Sequence, residues 1–229
     1  MTQQGPKYLM LYSTTDGHTK TIIETMAKQL TDENGARCDV ADIKDGGRYP
    51  LSQYQKVLLG ASIRYGYFSS AFHEYVAKHQ GELNAMPSAF FGVNLTARKE
   101  GKNTAMTNAY TRKFLTQSPW QPQLSGVFAG ALWYPRYNYF DRVLIQFIMK
   151  VTGGETDPAK EIVYTDWAVV RRFASDFAAL PLTVPPRPPT PEQRRGKWAS
   201  GGAVQWALAL AGVSAAVLFG RRMISSKRE

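Results

Sequence analysis

Apolar and polar positions along this chain fall into two alternating rhythms. Near-continuous apolar runs occupy residues 8–12, 38–41, 56–61, 89–95 and 126–132. Such runs belong to strands covered on both faces, because a strand with one wet face alternates apolar and polar residues. Between them, apolar residues recur at helical spacing. Ile22, Ile23, Met26, Ala27 and Leu30 share one face of residues 19–30, and Trp167, Val170, Phe173, Ala174 and Phe177 form one stripe of residues 166–180. Weaker helical patterns cover 71–79 and 107–116. Strand and helix in turn predict an α/β domain built on a doubly wound, five-stranded parallel sheet.

Two segments leave this rhythm. Residues 133–157 form an insert between the last predicted strand and the last helix. Within it Phe140, Val143, Leu144, Phe147, Ile148 and Val151 repeat at i, i+3, i+4, i+7, i+8 and i+11, which predicts an amphipathic helix with Arg142 and Lys150 on its polar side. Trp133, Tyr134, Tyr137 and Tyr139 gather at its start, with Arg136 among them. Aromatics and arginine beside an apolar helix suit a flat anionic ligand and a membrane interface; the plainer alternative is packing on the domain itself. The chain then changes composition. Residues 181–198 read as a Pro-rich basic linker. Residues 199–220 carry no charge, and Ser200, Gln205 and Ser214 are their only polar members. As a helix they would span about 33 Å, enough for a hydrocarbon core. A C-terminal transmembrane helix is therefore expected, with a basic tail at 221–229; the alternative, since Ala and Gly make the run only moderately hydrophobic, is a segment lying in the membrane interface. Gly212, Ala216 and Gly220 are spaced as small-xxx-small and could pair such helices into a homo-oligomer.

Charge sharpens this division. The net charge is +10, but the segment after Pro181 holds eight cations against two carboxylates, a net of +6 that leaves +4 for the residues before it. The main domain is only mildly basic, so nucleic acid is not the expected partner. Cys38 is the single cysteine, which excludes an intrachain disulfide and fits a reducing compartment. No signal-peptide pattern is visible, so residues 1–180 are expected to stay on the cytoplasmic side of an inner membrane, held by a single C-terminal pass.

The chemistry is concentrated where the first apolar run stops. The sequence STTDGHT at 13–19 places Ser13, Thr14, Thr15, Asp16, Gly17, His18 and Thr19 between a buried strand and a helix N-terminus. In open α/β sheets ligands bind outside the carboxyl ends of the strands, and a helix N-terminus there offers unpaired N–H groups to an anion. Small hydroxyls add donors without bulk, and Gly17 permits a tight turn. The competing reading is an ordinary N-cap by Ser, Thr or Asp. There is no P-loop lysine and no GxGxxG, which disfavours nucleoside triphosphates and dinucleotides. His18, His73 and His79 are too scattered to suggest a metal cluster, and the last two are expected on a helix surface.

The loop STTDGHT resembles the FMN-phosphate loop of flavodoxins. GASIRYGYFSSAF at 60–72 and VNLTARK at 93–99 resemble the two loops that hold the isoalloxazine in that family. With AGALWYPRYNYFDR at 129–142, IMKVTGGETD at 148–157 and VYTDW at 163–167, residues 7–180 are similar to the flavodoxin-type, quinone-linked protoporphyrinogen IX dehydrogenases of bacterial haem synthesis. That resemblance implies a flavodoxin-like fold and FMN as cofactor. It further implies six-electron oxidation of protoporphyrinogen IX, with menaquinone or ubiquinone as acceptor; the insert and the apolar run 199–220 add membrane lipid as a partner. It places FMN against residues 13–19, against Ser62, Ile63, Arg64, Tyr65 and Gly66, against Phe90, Asn94, Leu95, Ala97, Arg98 and Lys99, and against Gly130, Ala131 and Leu132, with Tyr65 able to stack on the ring. Arg98, Lys99, Tyr134, Arg136, Tyr137 and Arg142 are the expected porphyrinogen contacts. Asp16 departs from the family pattern by setting a carboxylate beside a phosphate, unless it caps the helix. An electron-carrier flavodoxin or an NAD(P)H:quinone reductase without a porphyrin substrate is the alternative; the basic balance, the insert and the tail weigh against it.

Overall fold

The computed structural model describes residues 5–137, 139–151 and 153–184. Among the described residues, 5–116 and 120–184 form one compact unit. Apart from residues 181–184, the predicted linker, the transmembrane run 199–220 and the basic tail lie outside the described residues. No helix among the described residues is long and apolar enough to cross a membrane.

This unit is a flavodoxin-like α/β domain. Strands β1 (Lys7–Ser13), β2 (Arg37–Asp42), β3 (Lys56–Ser62), β4 (Ser88–Asn94) and β5 (Leu124–Ala129) form one parallel sheet in the order β2-β1-β3-β4-β5. Helices α1 (His18–Asn34), α2 (Ser70–Ala85) and α3 (Ala109–Gln117) follow β1, β3 and β4. Because successive strand residues point to opposite faces, each central strand feeds two cores. Met10, Leu58, Phe91 and Phe128 pack with α1 and with α5 (Trp167–Ala179). On the other face Phe90 meets Phe68, Phe72, Phe114 and Trp120. Gly60 is required for the first arrangement, since a Cβ there would lie 2.2 Å from the ring of Phe91.

Two features of this frame differ from the expectation. His73, expected on an open helix surface, is half-buried with its ring against Phe68, Phe72 and Phe114, and burial lowers its pKa. The apolar run 126–132, expected as one strand, is broken at Gly130. Gly130 N–H donates to the carbonyl of Asn94, the last residue of β4, at 3.3 Å, and its own carbonyl accepts from Tyr164 N–H at 3.1 Å. The parallel ladder has no partner beyond that point. The next residues, β6 (Ala131–Trp133), instead pair antiparallel with β7 (Glu161–Val163). The insert, with helix α4 (Tyr139–Val151), is thus held between two short strands that tie its ends together. Leu132, Tyr134, Tyr137 and Met149 are its buried core, packed against half-buried Leu95, Trp133, Ile145 and Tyr164.

Candidate active site

The carboxyl ends of β1, β3, β4 and β5 face one edge of the sheet, and the loops that leave them are bonded to one another. Ser13 Oγ lies 2.7 Å from Ser69 Oγ, and Ser62 Oγ donates to the carbonyl of Ser13 at 3.4 Å. Ile63 N–H donates to the carbonyl of Val93 at 2.9 Å. Beyond β4, the side-chain oxygen of Asn94 accepts from Ala97 N–H and from the Thr96 hydroxyl at 3.1 and 2.6 Å, which winds residues 95–98 into a turn. Buried Asn108 bonds the same amide.

Gly17 answers the capping alternative. It is the N-cap residue of α1, in left-handed conformation at φ 86°, and no side chain caps the helix. Thr14 Oγ1 accepts from Gly17 N–H at 3.0 Å, so it shapes the loop rather than the first turn. Asp16 does not cap either: its carboxylate meets Arg64 Nη1 at 2.9 Å. The first-turn N–H groups therefore receive no protein oxygen from a capping side chain. Beside them, Thr19 is fully buried and its hydroxyl has no hydrogen-bond partner. Buried polar atoms are nearly always paired. A donor set of backbone N–H groups plus one orphaned hydroxyl, at the positive end of a helix, fits a phosphate group.

The loop after β3 closes over this site. Arg64 and Tyr67 exchange backbone hydrogen bonds of 2.9 and 3.0 Å around Tyr65 and Gly66, which have φ 51° and 87°. Two consecutive left-handed residues make a type I′ turn. Gly66 is suited to it; Tyr65 is strained there, and non-glycine residues held in that region cluster at functional sites. The turn leaves the Tyr65 ring 62% exposed at its tip. The Arg64 guanidinium lies over Tyr65 and Tyr137, 5.4 and 5.3 Å from their ring centroids, so one cation joins the 13–19 loop, this turn and the insert.

His18, the first residue of α1, joins the same parts from the other side. Its Nε2 is 2.6 Å from Thr165 Oγ1, whose own proton goes to the carbonyl of Ala129 at 2.6 Å. The imidazole therefore donates from Nε2. Its ring meets Trp133 and Trp167 edge-on, and burial lowers its pKa, which favours the neutral form. His18 thus latches the loop to the insert and to the approach to α5. The sequence reading placed His18 in the site but missed Ser69, Thr165 and Trp167. Their signal was present in FSSAF and VYTDW, yet the pairing spans 147 residues for His18 and Thr165, and local pattern carries no distance information.

The other expected site residues divide. Ser13 to Thr19, Ser62 to Gly66, Asn94 to Lys99, and Gly130 and Ala131 all lie along this one edge. Phe90 is a correction: it sits in the middle of β4, fully buried under α2 and α3, because its alternation points it into the aromatic core. Leu132 and Ala97 also bury their side chains. Among the expected porphyrinogen contacts, Tyr134 is fully enclosed with its hydroxyl donating to the carbonyl of Glu155 at 2.7 Å, and Tyr137 is buried with its hydroxyl accepting from Trp133 N–H at 3.2 Å. They are core of the insert. Arg136 makes two bonds of 3.0 and 3.1 Å to Glu161 over the face of Trp133. Arg142 donates to the carbonyl of Tyr137, and Arg98 to that of Leu95. Lys99 stays half-exposed beside the turn. Among the described residues no group of three or more His, Cys, Asp or Glu could hold a metal ion.

Comparison with known proteins adds to this geometry. A family model described as a flavodoxin domain matches residues 9–159. A Leishmania major protein named protoporphyrinogen IX dehydrogenase [quinone] is 71% identical over 230 residues, covering 100% of both chains. One of the same name from Escherichia coli strain K12 is 51% identical over 174 residues, 76% of this chain and 96% of the relative. Among solved structures, flavodoxin 2 from Bacillus cereus covers 75% of this chain and 97% of its own, with 16% identity and a TM-score of 0.42.

Proposed function

The chain belongs to the flavodoxin-domain family, and from that premise we propose that it oxidises protoporphyrinogen IX to protoporphyrin IX with a quinone as electron acceptor. The observation that carries this is 71% identity along the entire length of a relative bearing that name. The cofactor is a flavin, and its form is FMN, since the orphaned Thr19 hydroxyl and the uncapped first turn of α1 suit a terminal phosphate. When bound, the flavin supplies the two-electron chemistry, so that one porphyrinogen and three quinones become one porphyrin and three quinols.

The chain's own residues bind and position. Thr19 and the first-turn N–H groups would hold the phosphate, while Arg64 holds the Asp16 carboxylate in an ion pair and so offsets its repulsion of a dianion. Tyr65, strained and exposed, offers a ring face at the rim. Neutral His18 adds no charge and fixes the loop through Thr165. Half-exposed Lys99 would be the cation to meet a porphyrinogen propionate. Residues 199–220 anchor the enzyme in the inner membrane with this domain on the cytoplasmic side, next to lipid-dissolved menaquinone or ubiquinone. The test is anaerobic: protoporphyrinogen should bleach the visible flavin absorbance of the purified protein, and a quinone should restore it. Bleaching by NADH but not by porphyrinogen would replace this reading with a quinone reductase or an electron carrier.

A further inference from the structure

Helix α4 turns only part of its apolar surface inward. Met149 is buried and Ile145 half-buried in the insert's core, and beside them the Arg142 guanidinium donates to the carbonyl of Tyr137 while Gln146 donates to that of Thr156 at 2.9 Å. A second set of apolar residues faces away. Tyr139 is 73% exposed, Phe140 83% and Phe147 65%, with Val143 and Leu144 also in the open. These five lie at i, i+1, i+4, i+5 and i+8, on one side of the helix. A helix that packs on its own domain buries that side and wets the other. Contiguous exposure of large apolar side chains marks an interaction site rather than surface noise.

From this polarity we infer that the apolar stripe of α4 lies in the interfacial layer of a lipid bilayer, so that the domain itself docks on the membrane. The inference rests on the reading of residues 199–220 as an anchor. Between the described domain and that run stand residues 185–198, which even fully extended reach about 50 Å, so the domain never leaves the neighbourhood of the bilayer. Tethering at that range turns weak surface contacts into stable ones. The chemistry of the stripe suits lipid: Tyr139 at one end is a side chain of the headgroup layer, and exposed Lys150 near the other would meet anionic headgroups. Arg64 links the site to Tyr137 at the foot of the helix, so docking would hold the site near the surface where a quinone dissolves.

The experiment uses the full-length chain in vesicles of phosphatidylethanolamine and phosphatidylglycerol. Cysteine is placed at Phe147→Cys or, as a control at an exposed position of α2, at Lys78→Cys, and labelled with a polarity-sensitive fluorophore. Cys38 is half-buried with its thiol pushed up to about 11, so the unsubstituted chain serves as the labelling blank. The label at 147 should be quenched by nitroxides on the lipid acyl chains and about tenfold less than the control by aqueous iodide, as expected of a side chain inserted below the headgroups. Iodide quenching equal to the control overturns the inference. A label shielded from both quenchers also overturns it, because protein then covers the stripe, either a second copy or residues 199–220. Porphyrinogen bleaching of the flavin, measured on the same samples, reports separately on the enzymatic reading.

Discussion

Thr19 and His18 stand side by side at the start of α1 and are buried for different reasons. The Thr19 hydroxyl bonds nothing among the described residues, so removing it should take nothing from the fold; the ligand alone should notice. Thr19→Val should weaken FMN binding by about ten- to a hundredfold, the value of one hydrogen bond to a charged group. Fluorimetric titration of the flavin-free protein reads this directly, and its melting temperature should not fall. An unchanged affinity would mean that the hydroxyl does not face the phosphate. His18 instead carries a bond the fold uses. Burial lowers its pKa below the ordinary 6.5, so the unfolded chain takes up the proton first. Its contribution to stability is therefore present above about pH 6.5 and is lost as pH falls through the folded value. His73 is shifted in the same direction by the same cause and adds to the same slope. His18→Asn should therefore lessen, without abolishing, the loss of thermal stability of the flavin-free protein between about pH 7 and pH 5. If the slope stays as steep as in the unsubstituted chain, His18 is not buried neutral.

At the scale of elements, the insert behaves as a small fold of its own. Its ends are fastened by β6 and β7, and Met149 plugs its core so tightly that a Cβ on Gly154 would lie 2.2 Å from the methionine methyl. Met149→Ala should cost about 2–5 kcal/mol within this cluster. The insert should loosen before the main sheet does, so hydrogen exchange should quicken in residues 131–163 while the strands of the parallel sheet keep their protection. Equal quickening of β1 and β3 would show that the insert and the sheet melt as one. The insert also marks the limit of what the sequence tells. The five parallel strands and their helices are legible because burial on both faces writes itself as apolar runs with helical periods between them. The loop 13–19 is legible as a candidate anion site because hydroxyls and glycine stand between a strand and a helix. The break at Gly130 is not, since 126–132 is apolar throughout and only the end of β4 at Asn94 decides where the ladder stops. The roles of Tyr134 and Tyr137 are not either: an aromatic cluster reads the same whether it lines a ligand or fills a core, and the carbonyl of Glu155 that receives the Tyr134 hydroxyl is 21 residues away. For α4 the period and the apolar side are legible, while the choice between a surface role and packing on the domain is not, because periodicity finds the apolar side of a helix without saying which way it points.

For the whole molecule, the catalytic domain and the apolar run 199–220 should be separable. The last helix of the domain, α5, is set into the core by Val170, Phe173, Ala174 and Phe177, and the buried Lys56 ammonium donates to the carbonyls of Phe177 and Ala178 at its C-terminal end. The fold's own contacts thus close before residue 184. A stop codon after Val184 should leave a soluble-quinone activity close to that of the full chain. Activity with quinone held in native membranes should fall, because the tether no longer confines the search to two dimensions. The fall should be partial, since the stripe on α4 remains to find lipid. Sodium carbonate washing separates the two modes of attachment: a spanning helix survives it and a surface contact does not. The full-length chain should stay in the pellet and the shortened one should be released. Release of the full-length chain under the same wash would leave α4 and the basic residues after Pro181 as the whole of the attachment, and residues 199–220 would then be an apolar segment at the surface rather than an anchor.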